Sequence, residues 1–169
     1  MIRMGLDGST KSSGWCIFDD DKLVTYGKIV VQDKDMDWRS RVVYMMRKVA
    51  KLIQYYEVEE LCIELPVQSL KNVTTLEQLF SLHGAILGVA SALHITFTPI
   101  HVNTWRTYMG ILDDIPKDVK DKRSIYKERS VKLANELYNL DLTWKSSSSK
   151  ENDDDISDAI LIAHTIIHK

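Results

Sequence analysis

The sequence predicts an α/β domain built on a mixed β-sheet flanked by helices. Three β-like runs crowd the segment before Val31, and from Trp38 onward helical periodicity alternates with short apolar runs, giving βββαβαβα, then a loop and a last helix. Four carboxylates fall at the ends of these elements or inside them, so the sheet reads as the scaffold of a site.

Ile2, Met4 and Leu6 alternate with Arg3 and Gly5, a period-two strand that delivers Asp7 to the polar, turn-forming stretch Gly8 to Gly14. Trp15 to Phe18 and Leu23 to Val31 are rich in aromatic and β-branched residues, and Asp19-Asp20-Asp21-Lys22 between them reads as a turn, which completes a three-stranded meander. Between Trp38 and Tyr56 the residues Val42, Val43, Met46, Val49, Ile53 and Tyr56 recur at helical spacing behind Asp37 as N-cap. Leu61 to Leu65 has the apolar character of a buried central strand, ended by Pro66 because proline cannot donate to the ladder. Leu76 to Leu93 is a second amphipathic helix, with Thr74 and Glu77 resembling a capping box, followed by a fifth strand over Ile95 to Val102. Ser124 to Tyr138 is a third helix, with Val131, Ala134 and Tyr138 as its seam. A final helix begins at Asp154 or Asp155 and runs to His168 with a nearly all-apolar body.

A chain of 169 residues fits one domain, spanning 1–169, with a flexible serine-rich joint near 146–150. That size supports a core without disulfides, and Cys16 and Cys62 lie in apolar runs where thiols act as small buried hydrophobes. The N-terminal residues lack the features of a secretory signal, and no window holds 18 uninterrupted apolar residues, so no membrane role and a reducing cytoplasmic setting are expected. The net charge of −2 conceals segregation: Trp38 to Lys51 holds five bases and no acid, Lys117 to Lys132 seven bases against three acids, and Glu151 to Asp158 five acids and no base.

The acids that matter are Asp7 at a strand end, Glu64 inside an apolar strand, and Asp155 and Asp158, three apart and therefore on one helix face. Taken singly, Asp7 is an ordinary turn residue, and Asp155 and Asp158 suit a helix N-terminus whatever the function. Glu64 is different, because an unpaired carboxylate among apolar neighbours needs a partner or a metal. If the first and fourth strands are neighbours and the last helix crosses them, all four converge at one edge. Such a group of oxygens suits Mg²⁺ or Mn²⁺, and two such ions activate a water and stabilise the leaving oxygen of a phosphodiester.

These residues also carry a resemblance. Gly5 to Trp15 resembles the first motif of the RuvC family of Holliday-junction resolvases, Glu64-Leu65-Pro66 the second, and Asp155-Ile-Ser-Asp158-Ala159 to Ala163 the terminal Asp-x-x-Asp-Ala helix. The order is right and the match spans the chain, although it is specific at only about a dozen positions. The resemblance implies a ribonuclease-H-like fold with strand order 3-2-1-4-5, a homodimer, and metal-dependent nicking of four-way junctions that leaves 5′-phosphate and 3′-hydroxyl ends. It also implies that Asp7, Glu64, Asp155 and Asp158 are the metal ligands and catalytic residues. Small size and loose motifs resemble phage-encoded members, which would act in the cytoplasm of a bacterial host cell.

Two positions depart from the pattern. Gly8-Ser9 replaces the common Pro-Gly after the first acid, which preserves a tight turn. Pro66 to Leu70 lacks the aromatic that some resolvases place after the second acid, which implies acceptance of forks, flaps or three-way branches as well. DNA contact is expected from Lys122, Arg123, Lys127, Arg129 and Lys132 at the start of the third long helix, with Lys127 as the family's helix-borne lysine, and from Arg106; the alternative for each is a solvated face. Trp105 is a packing residue by the same reading, with stacking on DNA as its other role.

A dimer would use Leu79, His83, Ile86 and Leu87, where Gly84 and Gly88 permit close approach, unless that stripe only covers the sheet. Discounting the four acids moves the net charge from −2 to +2, which fits a DNA partner. Competing readings are an RNA-processing nuclease of the same fold and a branched-DNA-binding protein without catalysis. Asp7-Gly8-Ser9-Thr10 also resembles the phosphate loop of actin-like ATPases, but those enzymes close two such domains on a nucleotide and this chain holds one, so no nucleotide cofactor is expected.

Overall fold

A computed structural model describes residues 1–66, 72–116 and 118–169. The elements are β1 (Ile2–Asp7), β2 (Ser12–Asp19), β3 (Lys22–Val30), α1 (Trp38–Tyr55), β4 (Glu60–Glu64), α2 (Val73–Ala92), β5 (Thr96–Ile100), α3 (Val102–Tyr108), α4 (Lys122–Tyr138) and α5 (Asp154–His168). One five-stranded sheet runs β3-β2-β1-β4-β5, with β1 antiparallel to β2 and parallel to β4, as expected. Among the described residues no helix is long and apolar enough to cross a membrane.

Strand alternation sorts the side chains into two layers. Met4, Leu6, Ile17, Leu61 and Ile63 face α1 and α2, and Cys16, Phe18 and Cys62 face the layer of α3, α4 and α5. The same parity puts Gly5 and Asp7 on the α5 side of β1, and Cys62 and Glu64 on the α5 side of β4. Two glycines then set the depth of α5. A Cβ on Gly5 would overlap the carbonyl oxygen of Ala159, and one on Gly14 would overlap that of Asp155, so only glycine lets the helix lie directly on β1 and β2. Both cysteines are buried and free.

Several boundaries differ from the sequence reading. Met45, not Val43 or Met46, joins Val42, Val49 and Ile53 on the buried side of α1. Asn72 caps α2 by accepting from the Thr75 N–H, in place of a Thr74–Glu77 box, and α4 starts two residues early because Asp121 caps it through the Ser124 N–H. β5 stops at Ile100, with Pro99 tolerated because β5 is an edge strand, and the chain turns at once into α3, a helix too short to show periodicity. The residues that flank the serine-rich stretch are hydrogen-bonded to one another. Thr143 and Asp153 exchange hydrogen bonds, the Asn152 side chain accepts from Lys145 N–H at 2.9 Å and donates to the Ser146 carbonyl at 2.6 Å, and Lys28 pairs with Asp153 at 3.0 Å. Of the segment expected to lack a wedge, Val67 to Leu70 lie outside the described residues, as does Lys117 at the head of the basic run.

Candidate active site

Asp7 follows Leu6, which pairs with Ile63, so Asp7 and Glu64 emerge at adjacent strand ends on the same face. Gly14, the antiparallel partner of Asp7, is where the first turn of α5 rests on the sheet, and that contact carries Asp155 and Asp158 over the strand ends. The four acids predicted from sequence therefore meet at one edge. Burial pushes the Asp7 carboxyl well above the ordinary carboxylate range, and the charges of Glu64, Asp158 and Asp155 push it further. Burial, with help from Asp158, raises Glu64 to about 7. Burial also raises Asp158, against the opposing influence of Arg106, Ser130 and Lys127.

Three of the four acids are engaged by a protein donor. The indole Nε1–H of Trp105 donates to Glu64 at 2.7 Å, the Ser12 hydroxyl donates to Asp155 at 2.7 Å, and the Ser130 hydroxyl donates to Asp158. Ser130 also lies 3.0 Å from Ser157, whose hydroxyl donates to the Asp154 carbonyl. Among the described residues, no group of three or more His, Cys, Asp or Glu side chains is gathered closely enough to hold a metal ion. Glu64, Asp155 and Asp158 are partnered with Trp105, Ser12 and Ser130, so the site has the donor chemistry for a hard cation without a ready-made cage.

Two side chains supply positive charge. Lys127, on the α4 face that also carries Ser130, Val131 and Ala134, pairs with Asp154 and eases the ionisation of Asp7, Glu64 and Asp158. Arg106 reaches Asp158 at 3.8 Å, with its guanidinium 5.3 Å from the Tyr126 ring centroid and 5.1 Å from that of Trp105. Its Nε is buried without a hydrogen-bond partner among the described residues. Trp105 is wholly buried, as a packing residue would be, yet it is also the hydrogen-bond partner of Glu64.

The other predicted bases divide. Lys122 and Arg123 are exposed at the start of α4, Arg123 on the rim of a polar cavity beside Lys127. Arg129 instead donates to the backbone carbonyls of Ile111 and Asp113 and ties down the turn after α3, and Lys132 faces Glu136 on the solvent side. Of the residues suggested for a dimer, Ile86 is 1% exposed and belongs to the sheet-facing core, because α2 buries Leu82, Ile86 and Ala90. Leu79 is half-buried, His83 packs edge-on against Phe97, and Leu87 is 45% exposed. Val73 and Phe80 are exposed on α2 with Leu87, and both Gly84 and Gly88 face open space.

Sequence reasoning missed Asp154, Ser130 and Ser12. Ser130 was signalled as a polar residue three positions after Lys127 and next to Val131 on the helix seam. Nothing distinguished Asp154 within its run of acids.

No protein-family model matches the chain, and no curated protein matches it by sequence. Solved structures do. RuvC from Thermus thermophilus in complex with Holliday-junction substrate superposes with a TM-score of 0.72 at 12% identity, covering 98% of this chain and 92% of that one. The yeast mitochondrial Holliday-junction resolvase Ydc2 gives 0.67 at 12% identity over 98% of this chain and 77% of that one. Fowlpox virus resolvase, solved with Holliday-junction DNA, gives 0.54 at 14% identity over the full length of both. The fold of this chain is the ribonuclease-H-like fold of the RuvC-type resolvases.

Proposed function

We propose that this chain, which has the fold of the RuvC-type resolvases, is a metal-dependent endonuclease that nicks four-way DNA junctions. The observation that carries this reading is the meeting of Asp7, Glu64, Asp155 and Asp158 at one sheet edge, with three of them raised by burial and in part by one another. So much carboxylate in a partly buried place is unfavourable alone and calls for cations. The donor set is all oxygen, which fits Mg²⁺ and accepts Mn²⁺. When bound, a pair of such ions supplies an activated water and charge stabilisation at the leaving oxygen.

The chain's own residues have separable tasks. Asp7, Glu64 and Asp158 would hold the ions, and Asp155, already oriented by Ser12, completes the set or orients the water. Trp105 and Ser130 fix the rotamers of Glu64 and Asp158. Lys127 and Arg106 offset the acids' repulsion of an incoming phosphate. Arg123 and Lys122 extend this positive rim along the strand being cut. The products would carry 5′-phosphate and 3′-hydroxyl ends, and forks or flaps would be cut as well. Two copies would pair through the outward side of α2, at Phe80, Leu87 and the open Gly84 and Gly88, so that two sites face one junction.

The test places purified protein, with Mg²⁺ or with EDTA, on end-labelled four-way junction, fork, linear duplex and branched RNA, beside Glu64→Gln. Metal-dependent paired nicks near the DNA branch, absent in the variant, are expected. Cleavage of RNA alone, or a junction bound but never cut, would overturn the assignment.

A further inference from the structure

Beside the acids lies a second polar site. A cavity of about 390 Å³ is lined by Asp121, Arg123, Ser124, Lys127, Trp144, Ser147, Ser149, Asn152 and Asp154, at the lower end of the roughly 300–1,000 Å³ typical of ligand pockets. It shares Lys127, whose charge acts on Asp7, Glu64 and Asp158, so the cavity adjoins the acid cluster.

Its chemistry follows from which groups are already committed. Asp154 is matched by Lys127, while Asp121 keeps its charge and turns one oxygen to the Ser124 N–H at the head of α4. The amide of Asn152 is taken up in bracing the loop. Arg123 makes no ion pair or hydrogen bond among the described residues, and the hydroxyls of Ser124 and Ser147 are likewise free. Ser149 accepts a single bond, from the Glu151 N–H at 3.2 Å. The aromatic wall is Trp144, packed on its inner side against the core, with its neighbours Thr143 and Lys145 hydrogen-bonded to Asp153 and Asn152 just ahead of α5. A free guanidinium, free hydroxyls and one indole match the phosphate, sugar and base of a single nucleotide.

We propose that this cavity is the subsite for the nucleotide adjoining the scissile phosphate, with Arg123 and Ser124 on its phosphate and Trp144 against its base. The proposal rests on the nuclease reading and adds to it the residues that fix the cut strand's register. Arg123 and Trp144 are substrate-binding residues here; neither touches the reacting atoms.

The experiment uses full-length chain carrying Asp7→Asn to suppress cleavage, and four-way junctions with 2-aminopurine at successive positions on either side of the nick mapped with the parent enzyme. One position is expected to change emission on binding, to lose that change in Trp144→Leu and to recover it in Trp144→Phe, whose ring still stacks. Arg123→Ala is expected to weaken junction binding about five-fold or more and to flatten its salt dependence by about one phosphate contact. Thermal unfolding of each variant separates lost binding from lost folding. If Trp144→Leu and Arg123→Ala bind the junction with the parent's affinity and fluorescence profile, the subsite is overturned while the nuclease reading stands. If the parent chain binds no branched DNA, the nuclease reading fails and the subsite with it.

Discussion

Glu64 gives the clearest quantitative handle, because its carboxyl is held protonated in the folded state over a range where the unfolded chain has lost the proton. Between the ordinary value of 4.5 and its raised value of about 7, native stability falls as pH rises and levels off above that window. The magnitude is about 2 to 3 kcal/mol between pH 4.5 and pH 8 for the metal-free protein. Asp7 and Asp158, raised in the same direction, add to the slope. His83 and His164 oppose it, since burial lowers both and their contribution grows as pH rises through the ordinary histidine value. The informative quantity is therefore a difference between proteins. Glu64→Gln keeps an acceptor for the Trp105 indole and removes the ionisation, so relative to the parent it should gain about 5 to 10 °C in melting temperature between pH 5 and pH 8 in EDTA. Thermal unfolding by circular dichroism, with urea titrations at both pH values, measures this. A parallel pH dependence in the two proteins would show that Glu64 is not the strained group and would refute the electrostatic account of the site.

Four further outcomes follow from the same structure. Lys127→Met strands a buried Asp154, costing about 3 kcal/mol or more, and adding Asp154→Asn should restore most of that; equal destabilisation of the single and double variants in urea would dismiss the pair. Gly14→Ala drives a methyl into the Asp155 carbonyl and should cost about 3 kcal/mol while displacing the acids, whereas Gly84→Ala, facing open space inside a helix of the single chain, should be neutral or stabilising by up to about 1 kcal/mol when measured on the dissociated monomer; similar monomer melting temperatures for the two would contradict the close approach of α5. Leu87→Asp should leave the fold intact and shift a dimer to monomer in size-exclusion chromatography with light scattering, and a parent that is already monomeric at micromolar concentration would remove the α2 interface. Asp158→Asn should abolish junction nicking with Mg²⁺, and unchanged cleavage would take Asp158 out of the ligand set.

Much of the fold was legible because its signals are local and periodic. Alternation in Ile2 to Leu6, the aromatic and β-branched runs after Gly14, and the Asp37 cap each depend on a few neighbouring residues, and each appears as an element where it was expected. The short α3 was illegible for the converse reason: seven residues hold two turns, and Val102 looks like the end of a strand until the edge position of β5 is known. The serine run reads as a joint because composition reports local preference, and composition says nothing of the residues that flank it. Its flanks are tied by Thr143 to Asp153, by Lys145 to Asn152, and by Lys28 from a distant strand to Asp153.

The site divides along the same line. Asp7, Glu64, Asp155 and Asp158 could be found because each breaks its surroundings, a charge at a strand end, in an apolar run, or at the head of an apolar helix. The groups that make those charges tolerable could not be ranked in the same way. Composition leaves Lys127, Arg129 and Lys132 alike as bases on one helix, and only the resemblance singles out Lys127; in the structure α4 packs on α5 along the Ser130–Val131–Ala134 face. That rotation sends Lys127 to the acids, Arg129 to the carbonyls of the preceding turn, and Lys132 to solvent beside Glu136. Arg106 was separable from them only by its neighbour, since the indole that holds Glu64 and the guanidinium that faces Asp158 come from consecutive residues of α3. The acids are thus a property of the sequence, whereas their compensation is a property of helix packing, and the proposed chemistry needs both in register.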